Sequence, residues 1–410
     1  MHMTAYREIM RNRDCIAPLA GSLVGRIPES MISVALVLLV RQSTGSYVAA
    51  GLATGGFAVG SAFSGPVAGR MLDRVGQRPV LVSLALTFAA VLASIALSAA
   101  HAPVVVTIGL AAIAGISRPP LESAMRALWA WIVPARHLQA AYALDAVGQD
   151  LIWLGGPLLL SVLLVVGDAR TALLACAACT VLGTLGYVAT SRVPGNPEDQ
   201  GEHVGRARLR SRALRSLLAA AALYGISMGA FEIALTAFCT RHGARSAVGV
   251  LLAVWSVGSI VGGLVYGTRA WRRDIVKRVS LLLGALAALL AALTVASDVW
   301  TLAALLFAMG LPTAPFTSTL SAAVGDLSPP ARRNEGFTWM TAMVTSGIAV
   351  GNAATGPLIQ FDPALGFPFA AVAAAAGALL GLGGLRAAPF GVREPRPTRS
   401  TSLGREGSSS

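Results

Sequence analysis

Charge is scarce in this chain. Only 12% of its 410 residues are Asp, Glu, Lys or Arg, about half the share found in an ordinary soluble domain. A soluble protein of this length needs more charged surface than that to stay dispersed, so the soluble globular class is excluded. Histidine is rarer still. His2, His101, His137, His203 and His242 all sit at the ends of apolar runs or between them, so no imidazole stands mid-run to relay protons and no His cluster could hold a metal. The four cysteines, Cys15, Cys176, Cys179 and Cys239, imply no disulfide framework. Cys176 and Cys179 form a CxxC inside an apolar run with no second pair nearby, which reads as helix packing rather than redox or metal chemistry. HExxH and GxSxG are both missing, which removes the usual signatures of a membrane-embedded enzyme. The polar stretches are too short for the added soluble domain of a receptor or scaffold. No metal and no cofactor are expected.

What the chain has is apolar length. Hydrophobic residues make up 55% of it, and 44 glycines accompany them, the small residues that close helix packing in a bilayer calls for. A membrane span needs about 20 mostly apolar residues. Such runs fall at 15–40, 46–70, 79–100, 103–128, 139–166 and 170–190, then at 213–240, 247–268, 276–296, 299–323, 334–359 and 366–386. The expected fold is therefore an all-α integral membrane protein of twelve spans. A cytoplasmic tail (1–14) precedes a first six-helix bundle (15–190). A linker (191–212) joins it to a second bundle (213–386), and a Pro-, Ser- and Arg-rich tail (387–410) is expected to be disordered. The N-terminus is polar and basic and leads into a run too long for a signal peptide, so that run is taken as the first span.

The net charge of +13 raises the question of a nucleic-acid partner. The positions of the charges answer it. With the N-terminus inside, 25 of the 32 Lys and Arg residues fall in cytoplasmic segments, four in outer loops (Arg41, Arg170, Arg241 and Arg245), and three inside spans. That asymmetry is the positive-inside pattern, so no nucleic acid is expected and both termini are placed in the cytoplasm.

An internal repeat supports two halves of common design. Gly60 and Gly65 of span 2 are echoed by Gly258 and Gly263 of span 8, about 200 residues on. Pro134-Ala-Arg136 leads to Gly-Gly-Pro-Leu at 155–158, as Pro330-Ala-Arg332 leads to Gly-Pro-Leu at 356–358. Transporters built from repeats place the substrate near the midplane, between the halves.

Between spans 2 and 3 the chain reads Gly69-Arg70-Met71-Leu72-Asp73-Arg74-Val75-Gly76-Gln77-Arg78-Pro79. This resembles the signature loop of the major facilitator superfamily, and the resemblance covers roughly residues 10–388. It implies two six-helix bundles that rock about a central cavity. Asp73 is an acid in a basic loop. It can pair with Arg74 or Arg78, or sit at the positive N-terminus of another helix. The resemblance makes that helix span 11 and the contact a cytoplasmic gate formed by Gly69, Asp73, Arg74, Gly76 and Arg78. Gly76 suits a tight turn. Gly155, Gly156 and Pro157 in span 5 match only the core of the drug-antiporter motif. Ile152, Leu160 and Ser161 depart from it, and the family's mid-span Arg of span 4 is missing. Together with Gly356 and Pro357 they are expected to bend their helices.

Ionisable groups inside spans are costly and usually functional. Arg26 and Glu29, three apart in span 1, are expected to neighbour each other on one helix face. With Asp150 and Glu232 they are candidates for proton coupling or substrate binding. Arg118, Glu122 and Arg126 of span 4, with Asp145 of span 5, are expected to form a charge network near the cytoplasmic side. Trp129, Trp131 and Trp300 are placed at the interface, and Trp153, Phe231, Trp255 and Trp339 in packing or lipid contact. Several acids suit an amphipathic or cationic substrate, and the arginines equally allow an anionic one. The resemblance is closest to efflux-type members from high-GC bacteria. It implies a monomer in a bacterial inner membrane that exports a small drug-like or natural-product molecule, with protons as the coupling ion. The rival on the same fold is uptake of a nutrient.

Overall fold

The computed structural model describes residues 4–99, 101–191, 212–243, 247–268, 271 and 275–385. The expected linker and C-terminal tail, apart from Ser191 and Arg212, lie outside the described residues, as does Arg245. Among the described residues the regular structure is helical throughout. A short helix, α1 (Thr4–Arg11), lies within the stretch read as the N-terminal tail. The first bundle follows as α2 (Arg13–Arg26), α3 (Ile32–Thr44), α4 (Tyr47–Val75), α5 (Gln77–Ser98), α6 (Val104–Ser117), α7 (Leu121–Ile132), α8 (Leu138–Val166) and α9 (Ala169–Thr190). The second comprises α10 (Arg212–Arg241), α11 (Ala247–Gly267), α12 (Ile275–Ala292), α13 (Val299–Gly310), α14 (Thr313–Leu327), α15 (Arg333–Phe361) and α16 (Gly366–Leu385). Among the described residues ten helical stretches are long and apolar enough to cross a membrane, and α2 with α3 makes one more as a bent pair. The remaining expected span, α16, is apolar but shorter, over Gly366–Leu382.

Proline sets where spans break. α2 and α3 meet at a bend of 40°, around a 3₁₀ turn with Pro28 at its start. Pro28 offers no N–H to the helix and crowds the residue before it. In span 4, Pro119-Pro120 holds Arg118 in an extended conformation (ψ 121°) and separates α6 from α7. Pro312 divides α13 from α14 at the matching place of the second half. The expected bends in spans 5 and 11 do not divide their helices: α8 runs unbroken through Pro157 and α15 through Pro357. Gly156 serves a different need, since a Cβ there would collide with Ser30. Gly155 and Gly356 border open space.

The glycine repeat has a packing explanation. A Cβ on Gly60 would run into the backbone of Ala112 on α6, and one on Gly258 into Phe307 on α13. The first glycine of each pair thus lets two helices of one bundle approach closely. The second faces the other bundle. Gly65 lies against Thr338 and Ala342 of α15, and Gly263 against Val147 and Ala143 of α8. Across the bundles α4 packs on α15, α8 on α11 and α14, and α7 on α15. These contacts lie toward the face that carries α1 and the α4–α5 turn, termed here the gate face. One apolar core runs through both bundles, whereas a second, built around Met31, Leu36, Phe88 and Leu173, belongs to the first bundle alone. Trp300 is 85% exposed and can meet the membrane interface. Trp129, placed at the interface by the sequence, is instead fully buried in the core.

Candidate functional site

The gate face is built around one carboxylate. α4 ends at Val75 because Gly76 turns the chain with φ +99°, a conformation that favours glycine. That turn leaves Asp73 within the last turn of α4, facing the start of α15. The first amides of a helix have no intrahelical acceptors. Asp73 supplies them: Oδ1 accepts from Asn334 N at 3.1 Å and Asn334 Nδ2 at 2.8 Å, and Oδ2 accepts from Glu335 N at 2.8 Å. An anion at a helix N-terminus is favoured by the helix dipole as well. Of the two arrangements open to Asp73, the helix-terminus contact is the one formed, and α15 is span 11.

The partners of the other loop residues differ from expectation. Arg74 is exposed and takes no part in these contacts. Among the described residues Arg78 reaches the Ser191 carbonyl, at 3.4 Å, and not the second bundle. The arginine that crosses to the second bundle is Arg70, with Nε 2.8 Å from Glu335, and Arg332 also pairs with Glu335. Gly69 lies so close to Thr338 and Glu335 that no side chain fits. Sequence reasoning did not single out Gln77. Its Nε2 donates to Asn334 Oδ1 at 3.0 Å, and its Oε1 accepts from Tyr187 Oη at 2.7 Å. A directed chain of hydrogen bonds therefore runs from Tyr187 on α9 to Asp73.

Behind these contacts lies a charge network. Arg26 and Glu29 do not pair with each other, because the turn at Pro28 takes Glu29 off the helix that carries Arg26. Arg26 Nη1 reaches Asp145 Oδ1 at 2.8 Å and its Nη2 lies 3.8 Å from Glu122. Arg126 bridges Glu122 at 2.6 Å and Asp145 at 3.1 Å. Glu29 pairs instead with Arg118 at 2.8 Å, beside a cavity of about 30 Å³, room for a water. Gln149 joins the groups, hydrogen-bonding both Arg26 and Glu29. Its position four residues after Asp145, on the same face of α8, was the signal available in the sequence. Three arginines thus meet three carboxylates, and the cluster carries no net charge into the apolar interior, where a bare charge would be costly. Thr341 of α15 donates to Glu122 at 3.4 Å, tying the network to the second bundle.

Asp150 and Glu232 stand apart from both groups. Asp150, on α8, faces Ser259 of α11, and among the described residues its buried Oδ2 has no hydrogen-bonding neighbour besides that hydroxyl. Glu232, on α10, is exposed. Among the described residues no group of three or more His, Cys, Asp or Glu could hold a metal ion.

Two apolar helical bundles, joined across one face by a carboxylate-capped helix, are the architecture of a polytopic membrane transporter. The chain belongs to the major facilitator superfamily, whose profile matches residues 19–270 and, in a second match, 217–409. The family is one of transporters, not enzymes. An uncharacterized MFS-type transporter of Sinorhizobium fredii (strain NBRC 101917 / NGR234), y4rN, is 26% identical over 281 residues, 64% of this chain and 68% of that protein. In fold the chain is similar to the human organic anion transporter MFSD10 (TETRAN), with a TM-score of 0.69 at 17% identity, covering 91% of this chain and 98% of that one. It is similar also to a bacterial homologue of the iron transporter ferroportin in an outward-facing state, with a TM-score of 0.70 at 13% identity over 92% and 100% of the two chains. The transporter FucP in its outward conformation gives a TM-score of 0.69 at 13% identity over 91% and 99%.

Proposed function

We propose that this transporter is a proton-coupled exporter of a small amphipathic compound, working by alternating access in a bacterial inner membrane as a monomer. The gate face is then the cytoplasmic one, with both termini inside, and the arrangement described above is the outward-facing state. The observation that carries the reading is the Asp73 cap on α15. It joins the two bundles through three hydrogen bonds and can be made only while their gate-face ends are together. Releasing it is the step that opening toward the cytoplasm requires. Mid-span histidines are lacking, so coupling protons must be carried by the carboxylates within spans, of which Glu29, Asp150 and Glu232 are the candidates.

The experiment is dye accumulation in efflux-deficient bacterial cells expressing the intact chain or Asp73→Asn, each with and without a protonophore. Lower accumulation that the protonophore abolishes and that Asp73→Asn weakens is the expected result. Higher accumulation on expression would reverse the direction of transport, and insensitivity to the protonophore would remove proton coupling.

A further inference from the structure

The acids within the spans divide by what neutralises them. Glu29, Glu122 and Asp145 are matched by three arginines. Glu335 is held by Arg70 and Arg332, Asp73 by a helix terminus, and Asp326 lies within reach of Arg333. Among the described residues Asp150 and Glu232 have no such counterpart. Asp150 is on the first bundle, one turn from Val147, which meets Gly263 of α11, and Glu232 is on the second, next to Phe231, which packs on Trp255 of the same helix α11. Glu232 is exposed within a span. A charge at that depth does not face lipid, so it faces the space between the bundles.

The polar atoms around this place are short of donors. Asp150 Oδ2 and the Ser259 hydroxyl, which is 0% exposed, are buried against each other, and among the described residues neither has a further hydrogen-bond partner. Asn352 Oδ1 is also unpartnered. It sits against α10 at Gly229, where a Cβ would come within 3.0 Å of it, one turn before Glu232. Buried acceptors left open are costly, and a ligand that brings N–H groups and positive charge would satisfy them. The flanks are aromatic. Phe231, next to Glu232, packs on Trp255 with centroids 5.9 Å apart, Trp255 is one turn from Ser259, and Tyr224 packs on Phe316 at 4.6 Å. Aromatic walls favour an organic cation over a hydrated metal ion, which would require more oxygen ligands.

We propose that Asp150 and Glu232, with Ser259 between them, form the binding site of a protonated organic amine, held between the bundles with its apolar part against the Phe231–Trp255 pair. This rests on the transport reading above and names its substrate class. The charge network of Arg26 and its partners, being neutral, then holds helices together and does not select the substrate. Asp150 from one bundle and Glu232 from the other would both hold the amine, so its binding draws the halves together.

The test uses the full chain in lipid nanodiscs and equilibrium binding of three probes at pH 7. These are radiolabelled propranolol, a secondary amine that is protonated there, its N,N-dimethyl quaternary derivative, and an uncharged analogue in which the nitrogen is replaced by carbon. Propranolol is expected to bind, the quaternary probe about tenfold more weakly because it has no N–H to donate, and the uncharged probe more weakly still. Asp150→Asn and Glu232→Gln should each weaken propranolol binding about tenfold or more. Asp150→Glu and Glu232→Asp should restore most of it, which separates charge from folding. Asp298→Asn, at an exposed helix cap, should leave it unchanged. No propranolol binding to the wild-type chain, binding that survives both neutralising substitutions, or equal binding of the uncharged probe would overturn the site. Efflux of uncharged or anionic dyes that Asp150→Asn leaves intact would overturn the amine site while sparing the transport reading. Amine binding in a chain that transports nothing would support the site and overturn the transport reading.

Discussion

Replacing Asp145 with asparagine removes the carboxylate on which the charge network turns. Asp145 is 0% exposed and accepts from Arg26 at 2.8 Å and from Arg126 at 3.1 Å. Asparagine keeps one acceptor but presents N–H groups to a second arginine that has only N–H groups to offer. Three arginines would then face two carboxylates, leaving one positive charge uncompensated in the interior. Removing one partner of a buried ion pair costs about 3–5 kcal/mol. A unit of 150–250 residues loses about 2–4 °C of melting temperature per kcal/mol, so the first bundle should melt about 6 °C or more below the parent. The assay is thermal unfolding of purified protein in detergent, read by tryptophan fluorescence at one fixed scan rate. A cycle sharpens it: Arg126→Gln added to Asp145→Asn restores neutrality, and the double variant should regain about 0.5–3 kcal/mol relative to the sum of the singles. A melting temperature for Asp145→Asn within 2 °C of the parent would refute the neutral-network argument. It would also remove the ground for separating these charges from Asp150 and Glu232.

Gly69→Ala should hold the gate apart, since its Cβ would meet Glu335 Cα at 2.9 Å as well as the Thr338 hydroxyl. Labelling of a cysteine placed at Thr341 by a membrane-impermeant reagent from the gate face should rise several-fold, and unchanged labelling would contradict the packing argument. Tyr6 of α1 donates to the Gly263 carbonyl of the second bundle at 3.1 Å, so Tyr6→Phe should cost the closed arrangement about 1 kcal/mol and raise the same labelling. Burial pushes the Tyr6 phenol up to about 12 from 10.0. The contribution of the protonated hydroxyl is therefore fully present below pH 10 and lost as pH rises through about 12, which a labelling series from pH 8 to 12 would follow. Asp298 caps α13 through the amides of Trp300 and Thr301, each at 2.9 Å, and hydrogen bonds from Thr301 lower its pKa below 3.8. Because the folded pKa is depressed, this cap is present above that value and lost as pH falls through the folded one. Asp298→Asn should flatten that part of an acid melting profile, and an unchanged profile would count against the cap.

Much of the fold was legible because hydrocarbon imposes a rule that a single sequence obeys locally. Each span must be apolar over its own length, so the runs, the basic segments between them and the 6+6 plan could be read residue by residue. The glycines at 60, 258 and 263 were legible for a related reason, since close helix approach leaves no room there for anything larger. Asp73 was readable as an acid standing against the charge pattern of its loop. The pairing of Arg26 was not. Spacing along a helix predicts a neighbour only if the helix continues, and Pro28 ends it, so Glu29 went to Arg118 and Arg26 to Asp145. Gln77, Asn334 and Thr341 were invisible because an uncharged polar residue at a span end has many harmless uses. Trp129 was misread at the interface because nearness to a span end does not tell which face of the helix a ring occupies.

The sequence by itself therefore determined the membrane class, the count and order of the apolar runs, the two-fold design and the acid that caps α15. These depend on hydrophobic length, small-residue spacing and charge placement, all of which act within one helix or one loop. Tertiary structure alone decided which charges cancel and which do not. The three arginines and three carboxylates come from α2, its following turn, the α6–α7 break, α7 and α8, and Asp150 and Glu232 stand on opposite bundles. Neutralisation depends on distances of a few ångströms between segments far apart in the chain, and only the packed bundles set those distances.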